Sequence, residues 1–341
     1  MGLRGKHMNN GILAAIGNTP LVQLTQIVKD APFELYAKLE ALNPGGSMKD
    51  RPALNILNHG LADGRITSDT VVIESSSGNM GIGLAQICAY YRLRFICVVD
   101  PKTTFQNLRL LKLYGAEIDM VTDPDPVTGE FLQARINRVQ ALLRAHENSF
   151  WPNQYANLHN PLAHHQTMDE ILRALGGRID NVFCATSTCG TLRGCATYVR
   201  DRGLKTKVFA VDAVGSVIFG GQRCKRLIPG HGAAIRPELY DDGLADRCIQ
   251  VTDLDCVVGC RRLIKHEGLL SGGSSGALIA AVEQMRHEIP AGETCVLILP
   301  DRGERYLDTI YSDEWVHEHF GEVSHLWQHP IEAQACMTMA Y

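Results

Sequence analysis

The chain has 341 residues, of which 45% are hydrophobic and 21% are charged, and its formal net charge is −4 at pH 7. This balance gives no reason to expect nucleic acid or an acidic membrane surface as a partner. No stretch approaches the roughly 20 apolar residues of a membrane span, and no apolar segment typical of a secretory signal follows the first residues. The composition therefore predicts a cytoplasmic globular protein large enough for two lobes.

The 11 cysteines contain no Cys-x-x-Cys pair, and most of them lie inside apolar runs. Such positions are typical of reduced, buried thiols. The spacing of Cys184, Cys189 and Cys195 fits no zinc site, and the late histidines lie in a stretch of mixed polarity. We therefore predict no metal site.

From residue 34 onward, short β-rich runs alternate with segments of helical periodicity. Predicted strands cover residues 34–40, 70–74, 94–99, 116–121, 181–185, 207–213, 248–252 and 294–299. Predicted helices cover residues 53–58, 79–91, 105–114, 131–146, 161–175, 190–202, 254–266 and 275–288. Strands separated by helices, without hairpin signals, indicate an α/β protein with parallel sheets covered on both faces. Ligands of such sheets bind in the turns after the strands.

The first unusual turn, at residues 43–51, carries Lys49 between a predicted strand and a predicted helix. Proline and two glycines at 44–46 favour a tight turn, and Ser47 or Asp50 is the candidate helix cap. An amine beside a glycine loop is well placed for a carbonyl cofactor or an anionic substrate. Taken alone, this residue could equally be a surface lysine at the start of a helix.

Three further turns are rich in small and hydroxyl side chains. Residues 74–81 offer serines and helix-start N–H groups to a carboxylate. Residues 185–194 suit a phosphate, although they lack the Gly-Lys-Ser/Thr of a nucleotide-binding loop. Residues 271–277 let a flat ligand approach the backbone, and a serine there can bond a ring nitrogen. Each could alone be a well-capped turn, but the four together predict pyridoxal phosphate, which needs an amine, an anion cradle and a partner for its pyridine nitrogen.

These motifs resemble the cysteine synthase/cystathionine β-synthase family, whose members are fold type II pyridoxal-phosphate enzymes. The segments that carry the resemblance are Asn-Pro-Gly-Gly-Ser-Met-Lys-Asp-Arg at 43–51, Ser-Ser-Gly-Asn-Met-Gly at 76–81, Ser-Thr-Cys-Gly-Thr at 187–191, Pro-Gly-His-Gly-Ala at 229–233, Gly-Gly-Ser-Ser-Gly-Ala at 272–277 and Leu-Pro-Asp-Arg-Gly-Glu-Arg-Tyr at 299–306.

The resemblance implies a fold like that of the tryptophan synthase β subunit, with two three-layer α/β/α lobes and mainly parallel sheets. The expected division is a smaller lobe at 50–158, a larger cofactor-binding lobe at 12–49 and 159–320, and terminal tails at 1–11 and 321–341. The expected assembly is a homodimer.

The resemblance also implies roles for single residues. Lys49 matches the lysine that forms a Schiff base with the cofactor and later takes the α-proton of the substrate. Asn79 matches the asparagine at the phenolic oxygen of the cofactor, and Ser274 the residue at its pyridine nitrogen. The residues that match the phosphate cup are Ser187, Thr188, Cys189, Gly190 and Thr191. The residues that match the site of the substrate α-carboxylate are Ser76, Ser77, Gly78 and, less directly, Gln154.

Departures from the cysteine synthase pattern indicate one branch of the family. Met80 replaces a threonine near the substrate, and the usual Gly-rich cup begins with Ser187. The branch joins O-phospho-L-serine to L-glutamate through an α-aminoacrylate. Its product is N-(2-amino-2-carboxyethyl)-L-glutamate, a precursor of 2,3-diaminopropionate in the biosynthesis of staphyloferrin B, a siderophore, and of peptide antibiotics. A phosphate leaving group and a dicarboxylate nucleophile need cations. Arg135 is the candidate guanidinium, with Tyr155 as a weaker candidate contact, although Arg135 could also be a solvated helix residue.

Two alternatives remain open at this point. One is a cysteine synthase that uses O-acetylserine or O-phosphoserine with sulfide. The other is a regulatory or binding partner of the same fold without turnover, which the intact Lys49, Asn79 and Ser274 disfavour.

Overall fold

The computed structural model describes residues 11–328, which form two β-sheets with helices packed around them. The strands are β1 (Leu21–Gln23), β2 (Glu34–Leu39), β3 (Val71–Ser75), β4 (Arg94–Val99), β5 (Glu117–Met120), β6 (Ser149–Phe150), β7 (Asn181–Ala185), β8 (Lys207–Ala213), β9 (Arg247–Val251) and β10 (Thr294–Leu299). The helices are α1 (Asp50–Ala62), α2 (Asn79–Tyr91), α3 (Phe105–Leu113), α4 (Phe131–Ala145), α5 (His159–Ala174), α6 (Gly190–Asp201), α7 (Asp253–Glu267), α8 (Gly273–Met285), α9 (Asp313–Phe320) and α10 (His325–Gln328).

The larger sheet has six strands in the order β1-β2-β10-β7-β8-β9. Its neighbouring strands run parallel except for β1, which pairs antiparallel with β2. Leu299 at the end of β10 lies opposite Leu39 at the end of β2, and Ala185 at the end of β7 lies opposite Val211 of β8. The turns that follow these strands therefore meet at one edge of the sheet.

The smaller sheet has four parallel strands in the order β5-β4-β3-β6. Every residue of β3 is buried, as is every residue of β4 after its first. Apolar runs of this kind are typical of parallel strands that helices cover on both faces. The predicted α/β class with mainly parallel sheets is confirmed.

Helix α8, whose first turn carries Ser274, lies directly against α7. A β-carbon added at Gly276 would lie 1.9 Å from the carbonyl oxygen of Cys256, and one added at Gly259 would lie 2.2 Å from the carbonyl oxygen of Gly276. Only glycine allows two helix backbones to approach this closely. The start of α8 is thereby fixed relative to α7.

Some local features differ from the sequence prediction. The pattern contained no hairpin signal, yet β1 and β2 pair antiparallel across a long connection. Neither Ser47 nor Asp50 caps α1 with its side chain, because Lys49 occupies the N-cap position. The Oγ of Ser47 instead accepts a hydrogen bond from the N–H of Lys49 at 3.2 Å, and Oδ2 of Asp50 accepts one from the N–H of Gly45 at 2.5 Å. Both side chains therefore stabilise the turn rather than the helix.

The predicted boundaries of the two lobes stay a prediction, although the smaller sheet lies wholly within residues 50–158. Most of the predicted tails, residues 1–10 and 329–341, lie outside the described residues. The segment after Gly321 is not simply a solvated tail, because Trp327 of α10 is buried against the core of the larger sheet.

Within residues 11–328, no helix is long and apolar enough to cross a membrane. Over the same range, no three histidine, cysteine, aspartate or glutamate side chains gather where they could hold a metal ion.

Candidate active site

Lys49 lies at the start of α1, after a turn in which Gly46 has a φ of 83°. The N–H of Met48 donates a hydrogen bond to the carbonyl oxygen of Pro300 at 2.8 Å, and Ser47 forms an antiparallel bridge with Asp301. A left-handed conformation of this kind favours glycine. These contacts hold the amine beside the end of β10.

The surroundings of Lys49 favour its neutral form. Burial lowers the pKa of its ammonium group from 10.5 to about 8, while the charges of Asp301 and Cys189 act in the opposite direction. A lysine that attacks a carbonyl group needs a free electron pair on its nitrogen, and burial supplies this form near neutral pH. The residue therefore fits the role of an amine that bonds an aldehyde.

A buried ion network anchors the helix that carries Lys49. Arg51 donates hydrogen bonds to Glu40 at 2.6 and 2.8 Å and to Glu170 at 2.7 and 2.8 Å. Lys38 of β2 donates to the same Glu170 at 2.6 Å. These charges are paired with one another, so their role is to fix α1 against β2 and α5.

The turn after β3 opens α2 and contains the predicted substrate loop. The Oγ of Ser76 accepts the N–H of Gly81 at 2.9 Å and that of Gly78 at 3.4 Å, so this hydroxyl already caps the turn. The carbonyl oxygen of Ser77 accepts a hydrogen bond from Asn107 at 3.0 Å. Among the described residues, no atom lies within 4 Å of a β-carbon added at Gly78. The loop therefore leaves open space at Gly78 for a ligand.

Met80 does not share this exposure. Its side chain is 2% exposed and belongs to the apolar core beside the smaller sheet. This position does not favour the predicted contact between Met80 and the substrate.

The turn after β7 begins α6 and forms the predicted phosphate cup. Cys189 is the N-cap with a φ of 63°, and no side chain of the described residues caps this helix start. A β-carbon at Gly190 would lie 2.3 Å from Oδ1 of Asn160, so glycine is required there. The uncapped N–H groups and the helix dipole suit an anion.

Two other predicted members of the cup have partners within the protein. The hydroxyl of Thr188 accepts the N–H of Gly190 at 3.4 Å. The hydroxyl of Thr191 lies 3.3 Å from Nε2 of the buried His164. Ser187 is only half-buried. Its hydroxyl is therefore the most accessible of the three.

Ser274 is the second residue of α8 and is half-buried. Close to it, Oγ of Ser275 and Oδ1 of Asp301 are buried without a hydrogen-bond partner among residues 11–328. Buried polar atoms are nearly always paired, so orphaned ones point to a missing group. Together with the amine of Lys49 and the uncapped start of α6, they fit a cofactor that carries an aldehyde, a phosphate and a polar ring.

Gln154 and Tyr155 follow β6 at the carboxyl edge of the smaller sheet. The N–H of Gln154 donates to Glu74 at 3.2 Å, and its side chain donates to the carbonyl oxygen of Ser75 at 3.4 Å. Burial raises the pKa of Glu74 to about 7, against the hydrogen bonds from Trp151 and from backbone N–H groups. Gln154 therefore braces the end of β3, next to the predicted substrate loop.

Arg135 of α4 reaches the same edge and is 9% exposed. Its Nε lies 3.3 Å from Oδ2 of Asp100, yet Nε and Nη1 make no hydrogen bond to any described residue. Burial raises the pKa of the Tyr155 hydroxyl, and the nearby charge of Arg135 opposes this shift. The structure therefore brings Arg135 near Tyr155, and the guanidinium has unused donors.

Sequence reasoning missed Asp301 and Arg305 as members of the site. The side chain of Asn79 donates from Nδ2 to Oδ2 of Asp301 at 2.7 Å, and its Oδ1 accepts a hydrogen bond from Arg305. The sequence signal that could have identified them is the Pro-Asp-Arg-Gly-Glu-Arg-Tyr segment directly after the last buried strand. The predicted roles of the other site residues stay predictions.

Comparison with known proteins gives two findings. The sequence model of the family described as "Pyridoxal-phosphate dependent enzyme" matches residues 12–301. Several solved structures are also similar over most of their length. A hydrogen sulfide-producing enzyme from Fusobacterium nucleatum is 34% identical, with a TM-score of 0.81 over 87% of this chain and 99% of that one.

Two further structures show the same extent of similarity. An O-acetylserine-dependent cystathionine β-synthase from Helicobacter pylori is 31% identical, with a TM-score of 0.82 over 89% of this chain and 99% of that one. An O-acetylserine sulfhydrylase, isoform 3, from Entamoeba histolytica is 31% identical, with a TM-score of 0.82 over 91% of this chain and 94% of that one.

Proposed function

Because the chain belongs to the family of pyridoxal-phosphate-dependent enzymes, we propose that it is a β-replacement synthase with a specific pair of substrates. The substrates are O-phospho-L-serine and L-glutamate, and the products are N-(2-amino-2-carboxyethyl)-L-glutamate and phosphate. This product would supply 2,3-diaminopropionate for a siderophore or a peptide natural product. The active form is a homodimer in this proposal.

Pyridoxal phosphate, when bound, supplies an electron sink for the charge left as the α-proton and the β-substituent of an amino acid depart. The protein has three tasks around it. Lys49 binds the aldehyde and later takes the α-proton at Nζ, the start of α6 holds the phosphate, and Ser274 faces the pyridine nitrogen. The open loop at Ser76, Ser77 and Gly78 orients the α-carboxylate of the substrate.

The observation that carries the choice of substrates is the unsatisfied guanidinium of Arg135. A buried arginine with unused donors is costly unless an anion completes its hydrogen bonds. O-Phosphoserine brings a phosphate and glutamate a second carboxylate, and both match the geometry of a guanidinium. Acetate and sulfide would not need such a group. The charge of Arg135 acts on Cys97, whose thiol donates to the carbonyl oxygen of Ser76, so it lies within reach of the substrate loop.

The test of the proposal is a product assay with the purified holoenzyme. O-Phosphoserine is added with glutamate or with sulfide, released phosphate is measured, and products are identified by mass. We expect phosphate release in step with the glutamate adduct. Phosphate release that depends on sulfide and yields cysteine would overturn the choice of nucleophile.

Arg135→Met is the variant that tests the guanidinium. Arg138→Met is its control, because Arg138 lies one turn further along α4 and pairs with Asp119 at 2.7 Å near the surface. We expect the KM for O-phosphoserine or glutamate to rise at least about tenfold in Arg135→Met, as expected for one charged hydrogen bond. Equal KM values in both variants would place Arg135 outside the substrate site.

A cysteine synthase is the second candidate. The observation in its favour is that the similar solved structures include an O-acetylserine sulfhydrylase. The same assay decides, with O-acetylserine and sulfide as the competing pair. No turnover with any pair, in a protein whose bound cofactor gives a visible absorbance band, would favour the regulatory or binding role.

A further inference from the structure

Residues 300–306 follow β10 and contact three of the four predicted ligand turns. The carbonyl oxygen of Pro300 accepts the N–H of Met48 at 2.8 Å, next to Lys49. The carbonyl oxygen of Asp301 accepts the N–H of Gly272 at 3.2 Å, at the start of α8. The side chains of this segment reach the third turn, at Asn79, which lies on the other side of the cleft between the sheets.

The carboxamide of Asn79 is bonded at both ends. Its Nδ2 donates to Oδ2 of Asp301 at 2.7 Å, and its Oδ1 accepts from Nη1 of Arg305. Each partner is itself held in place. Tyr306 donates its hydroxyl to Oδ2 of Asp301 at 2.6 Å, and Nη2 of Arg305 donates to the carbonyl oxygen of Gly45 at 2.6 Å.

These partners decide which way the carboxamide faces. A carboxylate only accepts hydrogen bonds and a guanidinium only donates them, so rotating the amide of Asn79 by half a turn would break both contacts. In the observed orientation, one N–H of Nδ2 is used by Asp301 and the second is free. The free N–H is a donor at the mouth of α2, on the side of the cleft that faces Lys49.

We propose that Asp301 and Arg305 are positioning residues that fix the Asn79 carboxamide so that its free N–H meets the phenolic oxygen of pyridoxal phosphate. The interaction energy of Arg305 with the cofactor therefore passes through Asn79. This role is the same whether glutamate or sulfide is the nucleophile, so it does not depend on the identity of the substrates.

The test is a double-mutant cycle that measures the dissociation constant for pyridoxal phosphate by equilibrium dialysis. The variants are Asn79→Ala, Arg305→Met and the double variant. We expect each single variant to weaken binding at least about tenfold, which corresponds to about 1.4 kcal/mol. Adding Arg305→Met to Asn79→Ala should change binding by no more than about twofold. Losses that multiply in the double variant would assign the effect of Arg305 to its bond with Gly45 and overturn the proposal.

Arg302→Met is the matched control. Arg302 is an exposed arginine of the same segment that donates to the carbonyl oxygen of Ala41 at 2.9 Å, away from Asn79. We expect its dissociation constant and the visible spectrum of its bound cofactor to equal those of the wild type. Asn79→Ala and Arg305→Met should instead share one altered spectrum. Thermal unfolding of each apoprotein checks the fold, and a wild-type spectrum in a folded Arg305→Met variant would also refute the proposal.

Discussion

The protonation of Lys49 gives a prediction whose size follows from the structure. Burial lowers its pKa from 10.5 to about 8, with Asp301 and Cys189 acting against the shift. At pH 7 an amine with a pKa of about 8 is neutral in roughly 9% of molecules, and one with a pKa of 10.5 in roughly 0.03%. The neutral amine is the nucleophile, so the site should raise the reactivity of Lys49 about 300-fold at this pH.

The assay is competitive acetylation of the apoprotein with a limiting amount of acetic anhydride between pH 6 and pH 11. Peptide mass spectrometry reports the label at each lysine, and the exposed Lys205 serves as an internal reference. We expect labelling of Lys49 to rise about tenfold per pH unit and to level off near pH 8. A rise that continues beyond pH 10 would show that burial does not lower the pKa of this amine.

A second variant tests the contribution of Asp301. Its negative charge stabilises the ammonium form of Lys49, in opposition to burial. Asp301→Asn removes that charge and keeps an oxygen that can accept the hydrogen bond from Asn79. The midpoint for Lys49 should therefore move to a lower pH than in the wild type. An upward movement would show that Asp301 does not act on the amine through its charge.

The remaining predictions concern stability. Gly276→Ala should lower the free energy of unfolding by about 3 kcal/mol, because its β-carbon would meet Cys256 at 1.9 Å. Gly78→Ala is the control, and equal urea midpoints for the two would contradict this packing. Arg51→Ala should cost about 3–5 kcal/mol in urea denaturation, because it leaves Glu170 buried without its main partner, and a loss below about 1 kcal/mol would argue against a paired network. Although burial alone would raise it, hydrogen bonds and charge from Arg51 lower the pKa of Glu170 from 4.5 to about 2. The stabilisation from Glu170 is complete above pH 4.5 and is lost as the pH falls toward 2. Unfolding curves measured over this range should be steeper in pH for the wild type than for Arg51→Ala, and parallel curves would oppose the assignment.

Most of the regular structure could be predicted from the sequence, because a buried parallel strand is a continuous apolar run between turn residues. The bounds of α2, β4, β7, β8 and β10 agree with the predicted segments at every residue. The misses are short or depend on distant partners. The strand β6 has two residues, too few for a periodic pattern, and β1 is defined by its pairing with β2.

The candidate site could be predicted less completely, for a different reason. Motif order identified Lys49, the loop at 76–78 and the start of α6, because each lies in a turn with its own local signal. Hydrogen-bond partners far apart in the chain carry no such signal. The contact between Asn79 and Asp301 joins residues 222 positions apart. In the same way, the capping role of Ser76 depends on how its turn closes, which composition alone does not reveal.

A comparison of two buried arginines shows what the structure adds to a motif. All three guanidinium nitrogens of Arg51 donate hydrogen bonds to Glu40 or Glu170, and one of them also donates to Thr19. Arg135 is buried almost as deeply, yet two of its nitrogens have no hydrogen-bond partner among the residues that the structure describes. A saturated guanidinium has no donor left for a ligand, whereas an unsaturated one gains stability when an anion arrives. Arg51 should therefore affect folding and Arg135 the affinity for an acidic substrate, a distinction that follows from their partners and not from their burial.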